Sequence, residues 1–207
     1  MVKTAVLVSG GGTNLQAIID AKLSGEIKNC ELTTVISSNA KAFAIKRAEK
    51  AGIPVLIVNH ADFPNRGIFT QTILDKLVDH GIELVVYAGF NFILDLPFVE
   101  AFRNRIINIH PTLIPSFCGL GYYGLRVHEA VLARGVKITG ATAHFANEIA
   151  DDGPIILQKA VPVFEDDTPQ SLQRRVMEDA EWKILPEAIS LFCEGRLEVD
   201  GRIVRII

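Results

Sequence analysis

The sequence predicts an α/β fold, a mostly parallel twisted sheet with helices on both faces, followed by C-terminal antiparallel strands and a long helix. Short apolar runs alternate with segments of helical apolar spacing through the first half of the chain. The first run ends in a glycine loop at residues 9–14, which is typical of a strand-to-helix connection. After residue 111 the alternation stops, and two strand-like segments follow one another directly.

In chain order, the apolar runs predict five buried strands: residues 3–8, 31–36, 55–58, 83–87 and 106–109. The segments between them predict three helices: residues 15–23, 41–51 and 68–80. The last of these helices would turn Leu74, Leu77 and Val78 toward the core. Strands that alternate with helices favour right-handed crossovers and a parallel sheet.

The second half begins with a long loop to about residue 125 and a short helix to residue 133. Residues 139–145 and 154–163 predict two strands joined by a tight acidic turn, and residues 169–191 predict a long helix. The sequence Val199-Asp200-Gly201-Arg202 between alternating residues indicates a hairpin. No repeat or linker interrupts the chain, so we expect one domain, 1–207.

Composition excludes several classes of protein. The net charge of −3 weighs against nonspecific nucleic-acid binding, and the apolar run from Leu84 to Leu94, broken by Asn91, is too short to span a bilayer. The N-terminus has no signal-peptide pattern. Three widely spaced cysteines make a poor disulfide or zinc framework, which indicates reduced thiols in a cytoplasmic protein. Cys118 remains an alternative nucleophile.

Asn108 and His110 are the strongest functional candidates. Side chains two apart on a strand point to the same side, so both would face one point while Ile109 faces the core. Pro111 should end the strand, which places the pair at the carboxyl edge of the sheet, where ligands bind in open α/β folds. An amide and an imidazole together suit the stabilisation of an oxyanion at a carbonyl carbon.

The glycine loop predicts a phosphate site, because its backbone N–H groups lie at a helix N-terminus that Thr13 or Asn14 can cap. It is neither a Walker A motif nor a full dinucleotide fingerprint. No acidic residue clearly follows the second strand, which favours a phosphate monoester over NAD. The alternative is a tight turn that binds nothing.

Asp151 precedes a Gly-Pro turn and is the candidate partner of His110 in a proton relay. An acidic surface turn is the alternative, as is a metal site built from His110, His144 and Asp151. Otherwise His144 is expected to line a pocket wall. The remaining histidines are expected at the surface or in loops: His60, His80 and His128.

Two charged side chains are weaker candidates. Arg66 opens a helix against the helix dipole, which invites a ligand role. Glu181 lies in the long C-terminal helix among other charged residues, which by itself indicates a solvated face.

Five segments in this order resemble the phosphoribosylglycinamide formyltransferases, a folate-dependent family of purine synthesis: Val8–Leu15, Ala88–Phe90, Asn108–Pro115, Thr139–Phe145 and Asp151–Ile156. The resemblance implies a Rossmann-like formyltransferase fold, with 1–105 as the phosphate- or nucleotide-binding half and 106–207 as the catalytic and folate-binding half. It also implies formyl transfer from 10-formyltetrahydrofolate to the amine of glycinamide ribonucleotide, without a metal.

The resemblance assigns residues to each role. Catalysis falls to Asn108, His110 and Asp151. Substrate binding falls to Gly12, Thr13 and Asn14 for the phosphate and to Glu181 for the ribose. The folate would contact a larger set: Arg66, Asn91, Phe92, Ile93, Leu94, Asn108, His144, Asn147, Glu148 and Asp151. The resemblance further implies that the protein binds small-molecule substrates, with no nucleic acid or membrane as a partner, and that it is a monomer or homodimer.

The chain departs from the family pattern in three places. Asn91-Phe92 stands where Met-Arg is usual in the family. The loop near residues 121–124 is longer than common, and it lacks the His usually found there unless His128 replaces it. The helix near Glu181 has one extra residue. The alternatives are another formyl-folate enzyme, such as a hydrolase or an amino-sugar or tRNA formyltransferase, and a non-catalytic nucleotide-binding module. The related hydrolases and tRNA enzymes have an extra domain, for which this chain is expected to be too short.

Overall fold

The computed structural model describes residues 1–207 as one nine-stranded sheet flanked by helices. The strands are β1 Val2–Val8, β2 Cys30–Ser37, β3 Val55–Ile57, β4 Leu84–Tyr87, β5 Ile106–His110, β6 Ile138–Phe145, β7 Ile155–Pro162, β8 Leu197–Asp200 and β9 Ile203–Ile206. Their order across the sheet is β3-β2-β1-β4-β5-β6-β7-β9-β8.

The first five strands pair in parallel, whereas β5–β6, β6–β7 and β8–β9 pair antiparallel. The expected fold class, with its C-terminal antiparallel strands and hairpin, is confirmed. β5 ends at His110, directly before Pro111, as the ring of a proline requires.

Alternation along the strands divides the core into two layers. On β1, Val6 and Val8 pack with one layer, and Ala5 and Leu7 pack with the other. The first and larger layer lies under helices α1 Thr13–Ser24, α2 Ala44–Lys50, α5 Leu125–Arg134, α6 Pro169–Val176 and α7 Trp182–Cys193. The second lies under α3 Arg66–Asp79 and α4 Leu96–Ala101. Helices therefore cover both faces of the sheet.

Several local predictions were wrong. The sequence pattern missed α4, which begins after a short irregular segment and whose Phe98 and Val99 are buried. Val78 is 63% exposed, because on α3 the buried positions are Phe69, Ile73 and Leu77, and Val78 lies beside that stripe. Neither Thr13 nor Asn14 caps α1. Its N-cap is Gly12, in the left-handed conformation.

The predicted long helix is continuous in sequence but not uniform. A π turn, Met177–Glu181, separates α6 from α7. A π turn holds more residues than an α turn, so it is the local structure that one extra residue in a helix produces. Glu181 is the last residue of this turn and is buried rather than solvated. No helix of the protein combines the length and apolarity needed to cross a membrane.

Candidate active site

A cleft of about 660 Å³ opens at the carboxyl ends of β4 and β5. This volume is typical of a small-molecule site, and its position is the one where open α/β sheets bind ligands. Its walls come from both halves of the chain, including the segment 89–94, the loop 119–124 and residues of the π turn.

Asn108 and His110 both line this cleft, as their alternation on β5 predicts. The neighbouring Ile107 and Ile109 pack in the core layer on the opposite side. β6 runs antiparallel to β5 and places His144 directly opposite Asn108. The pairing of β5 with β6 therefore brings one amide and two imidazoles together, and all three side chains lie on strands rather than on loops.

Asp151 joins this group from the loop between β6 and β7. Its Oδ2 lies 3.3 Å from His110 Nδ1 and accepts a 2.8 Å hydrogen bond from the Gly119 backbone N–H. Its Oδ1 accepts a longer bond of 3.4 Å from Asn108 Nδ2. Asp151 has φ 56°, an uncommon left-handed conformation for a non-glycine residue that the surrounding contacts maintain.

Hydrogen bonds to backbone carbonyls fix both imidazole rings. His110 Nε2 is 2.9 Å from the Phe117 carbonyl, and His144 Nδ1 is 2.9 Å from the Phe145 carbonyl. Each of these nitrogens is therefore the donor. The other nitrogen of His144 is free to accept from Asn108 Nδ2, 3.0 Å away, which sets the orientation of the amide.

Burial lowers the pKa of His110, and the opposing charge of Asp151 does not offset this effect. Burial acts to raise the pKa of Asp151, but the neighbouring His144 ring, the proximity of His110 and the Gly119 N–H together hold it below its usual value. The pair thus combines an ionised carboxylate with an imidazole whose neutral form is favoured.

The glycine loop offers unpaired donors. None of the backbone N–H groups of residues 10–15 is hydrogen-bonded to a protein acceptor. A Cβ at Gly10 or Gly11 would meet nothing within 4 Å, so packing does not require these glycines. Gly12 is different, because its φ is +72° and a Cβ there would lie 2.6 Å from Ala44 Cβ.

Asn14 and Glu181 form a buried pair at one end of the cleft. Asn14 Nδ2 donates a 2.7 Å hydrogen bond to Glu181 Oε2, across 167 positions of sequence. Burial raises the pKa of Glu181 to about 7, and the bond from Asn14 only partly opposes this. Asn14 Oδ1 is buried without a donor, although Asn14 lines the cleft.

The residues assigned to folate binding are only partly brought together. The cleft is lined by Asn91, Phe92, Ile93, Leu94, Asn108, His144, Asn147 and Asp151. Arg66 lies outside the lining, 61% exposed, and its Nε pairs with Asp95 Oδ1 at 2.6 Å. Glu148 lines a smaller adjoining groove. Phe92 stacks on His60, with 4.3 Å between ring centroids.

His128 was wrongly placed at the surface. It is 1% exposed and lines the cleft, whereas His60 and His80 are exposed. Its spacing of three from Val131 on α5 puts it on the buried stripe of that helix. That spacing was the available signal in the sequence.

A cysteine nucleophile and a metal site find less support than the Asn108–His110–Asp151 group. All three cysteines are free, and burial raises the pKa of the Cys118 thiol, which disfavours the reactive thiolate. No group of three or more His, Cys, Asp or Glu side chains is arranged to hold a metal ion.

The fold and the cleft define an α/β protein with an amide, two imidazoles and a carboxylate grouped at the carboxyl edge of its sheet, next to a loop of free N–H groups. The family model described as formyl transferase matches residues 2–189. The chain therefore belongs to the formyl transferase family, and its resemblance to phosphoribosylglycinamide formyltransferases is confirmed.

The chain is similar to several proteins of this family. A trifunctional purine biosynthetic protein adenosine-3 from Bos taurus is 43% identical over 203 residues, which cover 97% of this chain but 19% of that protein. A chloroplastic phosphoribosylglycinamide formyltransferase from Arabidopsis thaliana is 38% identical over 95% of this chain and 67% of its own length. The crystal structure of glycinamide ribonucleotide transformylase 1 from Symbiobacterium toebii has a TM-score of 0.94 and 44% identity, with coverage of 100% of this chain and 94% of that one. The chain thus spans about a fifth of the length of the trifunctional relative.

Proposed function

We propose that the protein transfers a formyl group from 10-formyltetrahydrofolate to the amine of glycinamide ribonucleotide, a step of de novo purine biosynthesis. One observation supports this most directly. The group formed by Asn108, His110 and Asp151 lies in the same cleft as Asn14 and Glu181, beside the free N–H groups of the glycine loop.

The acceptor substrate would lie along one end of the cleft. Its phosphate would take hydrogen bonds from the N–H groups at Gly12, Thr13 and Asn14, at the positive end of the α1 dipole. The ribose hydroxyls would reach Glu181, and the unpaired Asn14 Oδ1 would accept from the same ligand. In this position the substrate amine would lie near Asn108 and His110.

The folate donor would occupy the other end, against Asn91, Phe92, Ile93, Leu94 and the segment 147–151. His144 would hold Asn108 in place beside it, and Arg66 and Glu148 would contact the parts of the donor that extend beyond the cleft. Because Arg66 is engaged by Asp95, its contact with the donor requires that ion pair to be shared or exchanged.

In the proposed reaction, the amine attacks the formyl carbon and forms a tetrahedral intermediate. Asn108 Nδ2 donates to its oxyanion through the hydrogen that makes only the long 3.4 Å bond to Asp151. Neutral His110, with Asp151 at 3.3 Å, receives the amine proton and becomes an imidazolium that the carboxylate stabilises. The C–N bond to the folate then breaks, and the proton passes to the departing nitrogen.

Single substitutions test this proposal. Asn108→Ala, His110→Ala and Asp151→Ala should each lower kcat about 10²–10³-fold, the usual cost of an oxyanion donor or a general acid–base group. The assay follows release of tetrahydrofolate with glycinamide ribonucleotide as acceptor, and His80→Ala, exposed and outside the cleft, is the control. Near-wild-type rates in all three variants would refute the mechanism. Release of tetrahydrofolate without the acceptor would indicate a hydrolase, and binding without turnover a non-catalytic module.

We further propose that the chain works as a single formyltransferase domain over 1–207, as a monomer or homodimer in the cytoplasm, on small molecules alone and without a metal. The two halves, 1–105 and 106–207, would act as the phosphate-binding and the catalytic and folate-binding parts. Sedimentation measures the oligomeric state, and dialysis against EDTA should leave the rate unchanged because Asn108 donates to the oxyanion and His110 moves the proton in the proposed reaction.

A further inference from the structure

His128 is the one buried histidine of the cleft with no hydrogen bond. It lies on α5, is 1% exposed and lines the cleft, and its Nδ1 is fully enclosed without a partner. His110 and His144, by contrast, each bond a backbone carbonyl. Buried polar groups in native proteins are nearly always paired, so an unpaired imidazole in a cleft indicates a partner that is not part of the chain.

The surroundings of His128 indicate what kind of ligand group could be its hydrogen-bond partner. Burial, and then the effect of His110, lower the pKa of His128 to about 4, so the ring is neutral. α5 packs against α6, which brings Gln173 into the cleft, and the π turn after α6 brings Met177 and Glu181 there. His128 therefore lines the same cleft as the candidate catalytic group and the Asn14–Glu181 pair.

We propose that His128 is a binding residue for the acceptor substrate and hydrogen-bonds the amide of its glycinamide arm, between a ribose at Glu181 and an amine at His110. This inference rests on the proposed function for the identity of the ligand. A neutral imidazole suits an uncharged amide, because it offers one donor and one acceptor and adds no charge beside His110.

The test uses two substitutions at this position. His128→Phe keeps a ring of similar size but removes both polar nitrogens, and His128→Gln keeps a donor and an acceptor. Calorimetry with glycinamide ribonucleotide should show at least tenfold weaker binding for His128→Phe and recovery to within threefold of wild type for His128→Gln. The KM for the folate donor should stay within twofold, and the thermal midpoint of His128→Phe should equal or exceed that of wild type, because an unpaired buried polar group has been removed. His80→Gln is the control for a surface histidine.

Wild-type affinity in His128→Phe would overturn the inference. So would equal losses of thermal midpoint and of binding in both variants, since that would make His128 a structural residue only. Failure of the proposed function is distinguishable, because it would appear in the wild-type protein as absence of formyl transfer or of any binding of glycinamide ribonucleotide.

Discussion

The buried carboxyl of Glu181 should make the stability of this protein depend on pH. Burial raises its pKa from 4.5 to about 7, so between these values the folded state holds a proton that the unfolded state has released. Stability is therefore greatest below pH 4.5 for this group and is lost as pH rises toward 7. At 1.36 kcal/mol per pKa unit, the loss amounts to about 3 kcal/mol.

Glu181→Gln isolates this effect, because glutamine does not titrate and its side-chain oxygen can still accept the 2.7 Å bond from Asn14. We expect the free energy of unfolding of wild type, relative to Glu181→Gln, to fall by about 3 kcal/mol from pH 4.5 to 7 and then to level off. Urea denaturation of both proteins at half-unit intervals measures the difference. A difference that does not change with pH would refute the assignment of the raised pKa to Glu181.

Three further predictions follow from the geometry of the site. Gly12→Ala should lower the free energy of unfolding by about 1–3 kcal/mol, because the φ of Gly12 is +72° and a Cβ there would lie 2.6 Å from the Cβ of Ala44. Gly10 has open space around it, so Gly10→Ala should change the free energy of unfolding by less than about 0.5 kcal/mol in the same urea titration. Asp151→Asn should move the NMR titration of His110 to lower pH, because the carboxylate raises the pKa of that ring, and an unchanged titration would remove the electrostatic link. Phe92→Ala should cost about 1–2 kcal/mol of stability, since the ring stacks on His60 and packs near Phe69, while the more exposed Ile93→Ala should cost less by thermal melting.

The sequence was most informative where local rules decide the structure. The apolar runs located the first five strands to within one or two residues, because buried parallel strands need little else. Pro111 fixed the end of β5, and strand alternation then placed Asn108 and His110 on one side. These positions depend on the backbone of a single element and its immediate neighbours.

It was least informative where burial comes from packing between distant segments. Glu181 has the side chain of a solvated helix face, and only the packing of the π turn against the sheet and the cleft buries it. The pairing of Asn14 with Glu181 joins the two ends of the chain, and no local pattern reveals it. The Arg66–Asp95 ion pair likewise depends on how α3 and the start of α4 approach each other.

The hydrogen bond from the Gly119 N–H to Asp151 Oδ2 connects two loops that line the cleft. One loop follows β5 and the other joins β6 to β7. The Asp151 carboxylate, to which we assign a part in proton transfer, therefore also holds the two loops together. Opening either loop breaks this bond and shifts the charge beside His110 at the same time. Access to the cleft and the electrostatics of its centre are therefore not independent variables, and amide exchange at Gly119 reports on both.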